Sequence, residues 1–279
     1  MLVGAKTNYL YRFKGENMPS ALYKPAGRAS EYSPWALNLY QSCDFGCTYC
    51  FTHDMPGFQG RNSIHATVKP RDGILGALET YLLKHGAPKE QILISFTSDP
   101  FPIAETEYET TKRALALLNH YHAKVVILTK GGLRALSALD EIRAFGDRIK
   151  VGATLTFMDQ ERSAAVEPGA ASPADRLKML EAFHALGIKT WVSIEPVLDP
   201  EQSLACIRAS LAVTDHFKIG KLNHVANTMD WAKFLRNAVD VLRQADKPFY
   251  VKHDLRAFEQ AAGVVLTPRE KDPTALFLK

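Results

Sequence analysis

Six strand-length apolar runs, each separated from the next by an amphipathic stretch of helical period or a turn-rich loop, restrict this chain to few architectures. The runs cover residues 35–40, 92–96, 124–128, 151–155, 189–194 and 216–219. Residues 73–84, 107–121, 133–145, 174–186, 201–213 and 229–245 place apolar side chains three and four apart, which is the spacing of one helix face. Ser172 before Pro173 marks a helix start, because a serine hydroxyl caps free N–H groups and proline gives up one that has no partner there. Gly187 stops the same helix. Strands alternating with helices pair in parallel through right-handed crossovers. The predicted class is α/β, with six units curving into a partial, open (β/α)6 TIM-like barrel. The loops after the strands then share one rim, where chemistry collects.

The chain has 279 residues, 46% of them hydrophobic, enough for one large core. No internal repeat or low-complexity tract interrupts it. We expect an extended arm over residues 1–34, the barrel over 35–252 and a C-terminal extension over 253–279. The arm carries Tyr9, Tyr11, Arg12, Lys14, Tyr23, Lys24 and Arg28 among glycines and prolines. Packing against the barrel and touching substrate are both open to it. A net charge of +4, from 34 basic and 30 acidic residues, permits a nucleic-acid partner without demanding one. No apolar run reaches eighteen residues, and residues 1–20 lack a compact apolar stretch, so a soluble cytoplasmic protein with no membrane partner is expected.

Three of the four cysteines fall in the eight residues Cys43-Asp44-Phe45-Gly46-Cys47-Thr48-Tyr49-Cys50. An odd, tight cluster without an export signal reads as thiolate ligation of metal rather than as disulfides. Three sulfurs would leave one iron of a four-iron cube open to an outside chelator. A structural zinc site with His53 as fourth ligand is the alternative. Cys206, in a helical pattern, reads as a small buried hydrophobe.

The cysteine spacing, the aromatic residue before the last cysteine and the place of the loop after the first strand resemble the radical SAM superfamily. The resemblance covers residues 35–252 and is closest to the spore photoproduct lyase branch. It implies an enzyme, a lyase or a modification enzyme, with a [4Fe–4S] cluster on Cys43, Cys47 and Cys50. There S-adenosylmethionine (SAM) is cleaved to a 5′-deoxyadenosyl radical that abstracts hydrogen from a substrate. Further segments carry the likeness: Ser95-Phe96-Thr97-Ser98-Asp99-Pro100, Thr129-Lys130, Thr154-Leu155-Thr156, and Glu167-Pro168 with Asp175-Arg176-Leu177. They imply SAM contacts from Tyr49, Ser98, Asp99, Lys130, Thr156 and Arg176. Substrate contacts are expected from Tyr9, Tyr11, Glu195, Lys221, Asn223, His224 and Lys252. A nucleic-acid base or nucleotide is the implied substrate, and flavodoxin or ferredoxin the implied one-electron donor.

Several of these assignments have a structural competitor. Lys130 could be solvated at a helix start, and Ser98 and Asp99 could form a turn before Pro100. Arg176 lies in the first turn of a helix, where the dipole disfavours a cation, so Glu167 is a candidate ion-pair mate. In the resembling lyase a cysteine precedes the Thr-Ser-Asp segment; here it is Phe96, so repair of a thymine dimer by that route is not expected. A non-catalytic zinc- or iron–sulfur-binding module contacting nucleic acid is the competing function.

Overall fold

Side chains along a strand alternate between two faces, and here both faces are buried, one under helices and one inside a curved sheet. The computed structural model describes residues 21–55, 60–222 and 227–278. Its eight strands lie side by side in chain order: β1 Leu22–Tyr23, β2 Trp35–Leu37, β3 Ile92–Ile94, β4 Val125–Thr129, β5 Ile149–Thr154, β6 Lys189–Ile194, β7 His216–Ile219 and β8 Phe249–Val251. β1 runs antiparallel to β2, and β2 to β8 are parallel. β1 and β8 do not pair, so the barrel is open. The alternation of strand and helix is as expected, but the sheet has eight strands rather than six. β1 and β8 are two and three residues long, too short to show a period.

Ile92, Ile94, Val125, Ile127, Val151, Ala153, Phe217 and Ile219 face the helices and belong to the main core. The intervening residues Leu93, Val126 and Trp191 form a second cluster inside the barrel with Tyr32, Phe96, Leu128 and Leu278. Each such buried side chain contributes roughly 1.5–3 kcal/mol. Gly152 on β5 makes room for the Trp191 indole, whose Nε1 donates to the Ile127 carbonyl at 3.0 Å; a Cβ at 152 would overlap the ring. Cys206 is fully buried in the main core, and burial pushes its thiol up to about 12.

The helix Pro173–Ala185 starts as read, with the Ser172 hydroxyl accepting from the Asp175 N–H at 3.1 Å. The stretch 133–145 divides into a 3-10 helix Gly132–Ala138 and an α-helix Leu139–Ala144. The stretch 107–121 breaks at Glu109, whose φ of 46° is left-handed. No helix among the described residues is long and apolar enough to cross a membrane.

The described part of the arm crosses the sheet's open side. Leu22–Tyr23 pairs at one edge, while the Glu31 carboxylate accepts from Tyr250 Oη at 2.7 Å and the His253 N–H at 3.0 Å beyond the other. Lys218 on β7 donates to the carbonyls of Glu31 (2.8 Å) and Tyr32 (3.2 Å) from a cage of Tyr32, Trp191, Tyr250 and Phe277 rings. Burial drives its proton affinity well below the usual lysine range. The C-terminal segment closes the barrel interior, with Lys150 Nζ on the Leu276 carbonyl at 2.6 Å and the Leu278 N–H on Gln91 at 2.9 Å.

Candidate functional site

The cysteine loop leaves β2 and is held from two directions. A backbone bridge pairs Cys43 with Asn62, and the Ser63 N–H donates to the Cys43 carbonyl at 3.2 Å. On another side the Thr48 N–H donates to the Val166 carbonyl and the Gly169 N–H to the Phe45 carbonyl, both at 2.9 Å. Gly46 must be glycine: its φ is 59°, and a Cβ there would lie 2.5 Å from the Ile64 side chain.

Cys43, Cys47 and Cys50 line one cavity of about 340 Å³. Burial raises the thiols of Cys43 and Cys47, with the charge of Asp99 adding to the effect on Cys43. A metal cation bound there would replace the proton and hold these sulfurs as thiolates. Among the described residues no three His, Cys, Asp or Glu side chains converge on a single ion. His53, the fourth ligand of the zinc reading, has Nε2 3.2 Å from the Asn62 carbonyl. Three cysteines spread around a shared cavity fit a multi-atom cluster better than a lone ion.

The loops after β3 and β4 meet the cysteines. Asp99 accepts from Thr129 Oγ1 (2.6 Å), the Lys130 N–H (2.8 Å) and the Phe101 N–H (2.9 Å), tying the two loops together. Burial raises its carboxyl, and these three donors work against that. Ser98 Oγ is buried in the cavity wall without a hydrogen-bond partner. Lys130 Nζ lies 5.5 Å from the Tyr49 ring centroid. Burial opposes its charge, but Cys47 and Glu167 outweigh burial and hold the ammonium above its usual range.

Thr156 and Arg176 are not in the cavity wall. Arg176 is 1% exposed and occupied on three nitrogens, by Glu167 at 2.5 Å, the Thr154 carbonyl at 2.9 Å and the Ala171 carbonyl at 2.9 Å. Glu167 also accepts from the Tyr49 hydroxyl. Burial alone would raise the Glu167 carboxyl, but Arg176 and Lys130 hold it below the ordinary carboxylate range. Arg176 thus meets the site from behind, through Glu167 and the carbonyl of the cavity-lining Thr154. Thr156 Oγ1 is buried without a hydrogen-bond partner.

Strands at the far edge supply a second polar group. Glu195 after β6 accepts from Tyr32 Oη at 2.5 Å and from Lys252 Nζ, just past β8, at 2.6 Å. Gly220 leaves room for this carboxylate, since a Cβ there would lie 2.8 Å from Glu195 Cδ. Burial, and then the negative charge of Glu195, push the Tyr32 phenol well above its usual range. Lys221 lines the cavity with its ammonium over the Trp231 and Phe258 rings at 5.5 and 5.7 Å. Phe96 also lines it and meets the Tyr32 ring edge-on. Tyr9, Tyr11, Asn223 and His224 lie outside the described residues.

Tyr32 and Asn62 line the cavity too, and neither is a candidate from the sequence. Tyr32 precedes Ser33-Pro34 at the end of the arm, a position where strand patterning has not begun. Asn62 lies twelve residues past the last clustered cysteine.

The family model described as the Radical SAM superfamily matches residues 37–212. An uncharacterized protein of Mycobacterium tuberculosis is 28% identical over 184 residues, covering 64% of this chain and 54% of its own length. One of Methanocaldococcus jannaschii is 25% identical over 164 residues, 59% of this chain and 60% of that protein. The chain therefore spans little more than half the length of these relatives. Among solved structures, SuiB of Streptococcus suis bound to S-adenosylmethionine superposes with a TM-score of 0.58 at 15% identity, over 85% of this chain and 51% of that one. Spore photoproduct lyase complexed with dinucleoside spore photoproduct gives 0.60 at 15%, over 79% and 76%. At these identities the likeness to the two structures is one of fold.

Proposed function

From the radical SAM superfamily, to which this chain belongs, we propose that it is an enzyme that cleaves SAM reductively at a [4Fe–4S] cluster and removes hydrogen from a nucleic-acid base or nucleotide. The observation that carries this reading is the sharing of one cavity by Cys43, Cys47 and Cys50, by Ser98, Asp99 and Lys130, and by Tyr32, Glu195 and Lys252. When bound, the cluster would supply an open iron for SAM and the electron that releases methionine and a 5′-deoxyadenosyl radical.

The chain's own groups divide the remaining work. The Lys130 ammonium, held charged in a buried setting, offers a charge-assisted bond to the SAM carboxylate. Ser98 Oγ, which has no hydrogen-bond partner, is available to a polar group of the same ligand. Tyr49 offers a ring face, since its hydroxyl is engaged by Glu167. Asp99 sets the two loops and so the position of Lys130. Thr156 and Arg176 take no part in binding SAM on this reading.

The Tyr32, Glu195, Lys252 group and Lys221 handle the substrate. A base edge presents adjacent donors and acceptors, which a carboxylate and an ammonium 2.6 Å apart can match. The rings of Tyr32 and Phe96 offer apolar faces for stacking. The electron is proposed to come from a flavodoxin or ferredoxin.

The test is anaerobic reconstitution of the full chain with iron and sulfide, followed by SAM and dithionite. The proposal expects about four irons per chain, on the cluster stoichiometry, and 5′-deoxyadenosine. Replacing Cys43, Cys47 or Cys50 by alanine should abolish both. A colourless protein holding zinc and yielding no 5′-deoxyadenosine would establish the non-catalytic module instead.

A further inference from the structure

Thr52 and Asn62, fully buried and 5% exposed, sit behind Cys50 in one hydrogen-bonded chain. Asn62 Nδ2 lies 3.0 Å from the Thr97 carbonyl, 2.9 Å from Thr52 Oγ1 and 3.7 Å from Cys50 Sγ. Thr52 Oγ1 in turn lies 3.0 Å from Cys50 Sγ. The directions follow from the chemistry of the partners. A carbonyl only accepts, so the amide nitrogen of Asn62, not its oxygen, faces Thr97. Its second hydrogen then points toward Thr52 and Cys50. The Thr52 hydroxyl accepts from Asn62 and keeps its own proton for the sulfur. A cysteine that ligates metal is a thiolate and can only accept, which makes Thr52 the donor. The Asn62 backbone is meanwhile paired with Cys43, so one residue spans both ends of the cysteine loop.

We propose that Thr52 and Asn62 form a donor relay onto the Cys50 sulfur that sets how readily the cluster ligated there accepts an electron. This rests on the proposed [4Fe–4S] assignment and goes beyond it by naming two positioning residues that act through the Cys50 sulfur. Hydrogen bonds to cluster sulfurs favour the reduced, more negative state and raise the potential. A hydroxyl polarised by an amide is a stronger donor than an isolated one. Removing the relay makes reduction harder while leaving the three ligands in place.

The experiment compares the reconstituted full chain with Thr52→Val, Thr52→Ser and Asn62→Leu, with iron and sulfide content measured first. The cluster is then titrated with dithionite under electron paramagnetic resonance, without SAM. Thr52→Val, close in shape and lacking the hydroxyl, should lower the equilibrium constant for accepting the electron about three- to tenfold, tenfold being 59 mV for a one-electron couple. Thr52→Ser, which keeps the hydroxyl, should return the wild-type potential. Asn62→Leu should move it the same way as valine, and where that variant fails to hold iron the Thr52 pair decides. A Thr52→Val protein with full iron content and the wild-type potential overturns the relay. A wild-type protein that takes up no cluster overturns the underlying assignment instead, so the two failures are distinct.

Discussion

Replacing Glu167 by glutamine tests whether a buried ion pair, rather than loop sequence, holds the cysteine segment in place. The carboxylate is fully buried and bonded to Arg176, 1% exposed, at 2.5 Å. Two unit charges about 4 Å apart attract by about 4 kcal/mol at an effective dielectric near 20. Removing one partner of such a pair costs about 3–5 kcal/mol, because the remaining charge stays buried without compensation. Lys130 adds a second cation that Glu167 now balances. The loss should appear in urea unfolding at pH 7, and locally in hydrogen exchange. The Thr48 and Gly169 amides, which bond to Val166 and Phe45, report on the contact between this segment and the cysteine loop. A loss of 3 kcal/mol would speed exchange through that opening by roughly a hundredfold or more. The double variant Glu167→Gln with Arg176→Met, which removes both charges, should recover much of the stability. A single variant within about 1 kcal/mol of wild type, with unchanged exchange at Thr48 and Gly169, would refute the reasoning.

Gly220→Ala places a Cβ 2.8 Å from Glu195 Cδ and so displaces the carboxylate from Tyr32 and Lys252. We expect substrate turnover to fall while dithionite-driven 5′-deoxyadenosine formation persists; an equal fall in both would contradict the assignment of Glu195 to substrate. Gly152→Ala should lower unfolding stability by about 2–3 kcal/mol, because the methyl overlaps the Trp191 indole and breaks its bond to Ile127; calorimetry showing no loss would contradict that packing. Burial lowers Lys150 from an ordinary value near 10.5 to about 8. The folded chain then binds fewer protons at this site than the unfolded chain between those values, so its contribution to stability rises with pH across that window. The stability of wild type relative to Lys150→Met should increase by on the order of 2 kcal/mol between pH 7.5 and 10.5; a flat difference would contradict it.

The alternating strands and helices and the cysteine spacing were legible in the sequence because both are local. A two- or three-to-four-residue period needs only neighbours along the chain, and three ligands within eight residues sit on one loop whatever the rest does. Ser98, Lys130 and Glu195 each follow an apolar strand and line one cavity with the cysteines, but the roles given to Ser98 and Lys130 came from the family resemblance rather than from the pattern. Arg176 shows where this reasoning stops. The sequence allowed it as a SAM anchor or as a partner of Glu167, and the choice depends on which nitrogens are already occupied, by Glu167, Thr154 and Ala171. Tyr32 lay in a segment without period, and only the crossing of the open barrel carries its ring to Glu195, 163 residues away. Asn62 and Thr52 became visible once the backbone at 62 paired with 43. What belongs to one stretch of chain can be read from its pattern. What joins distant stretches is decided by which of many polar atoms find each other when water is excluded, and that is fixed only when the whole core closes.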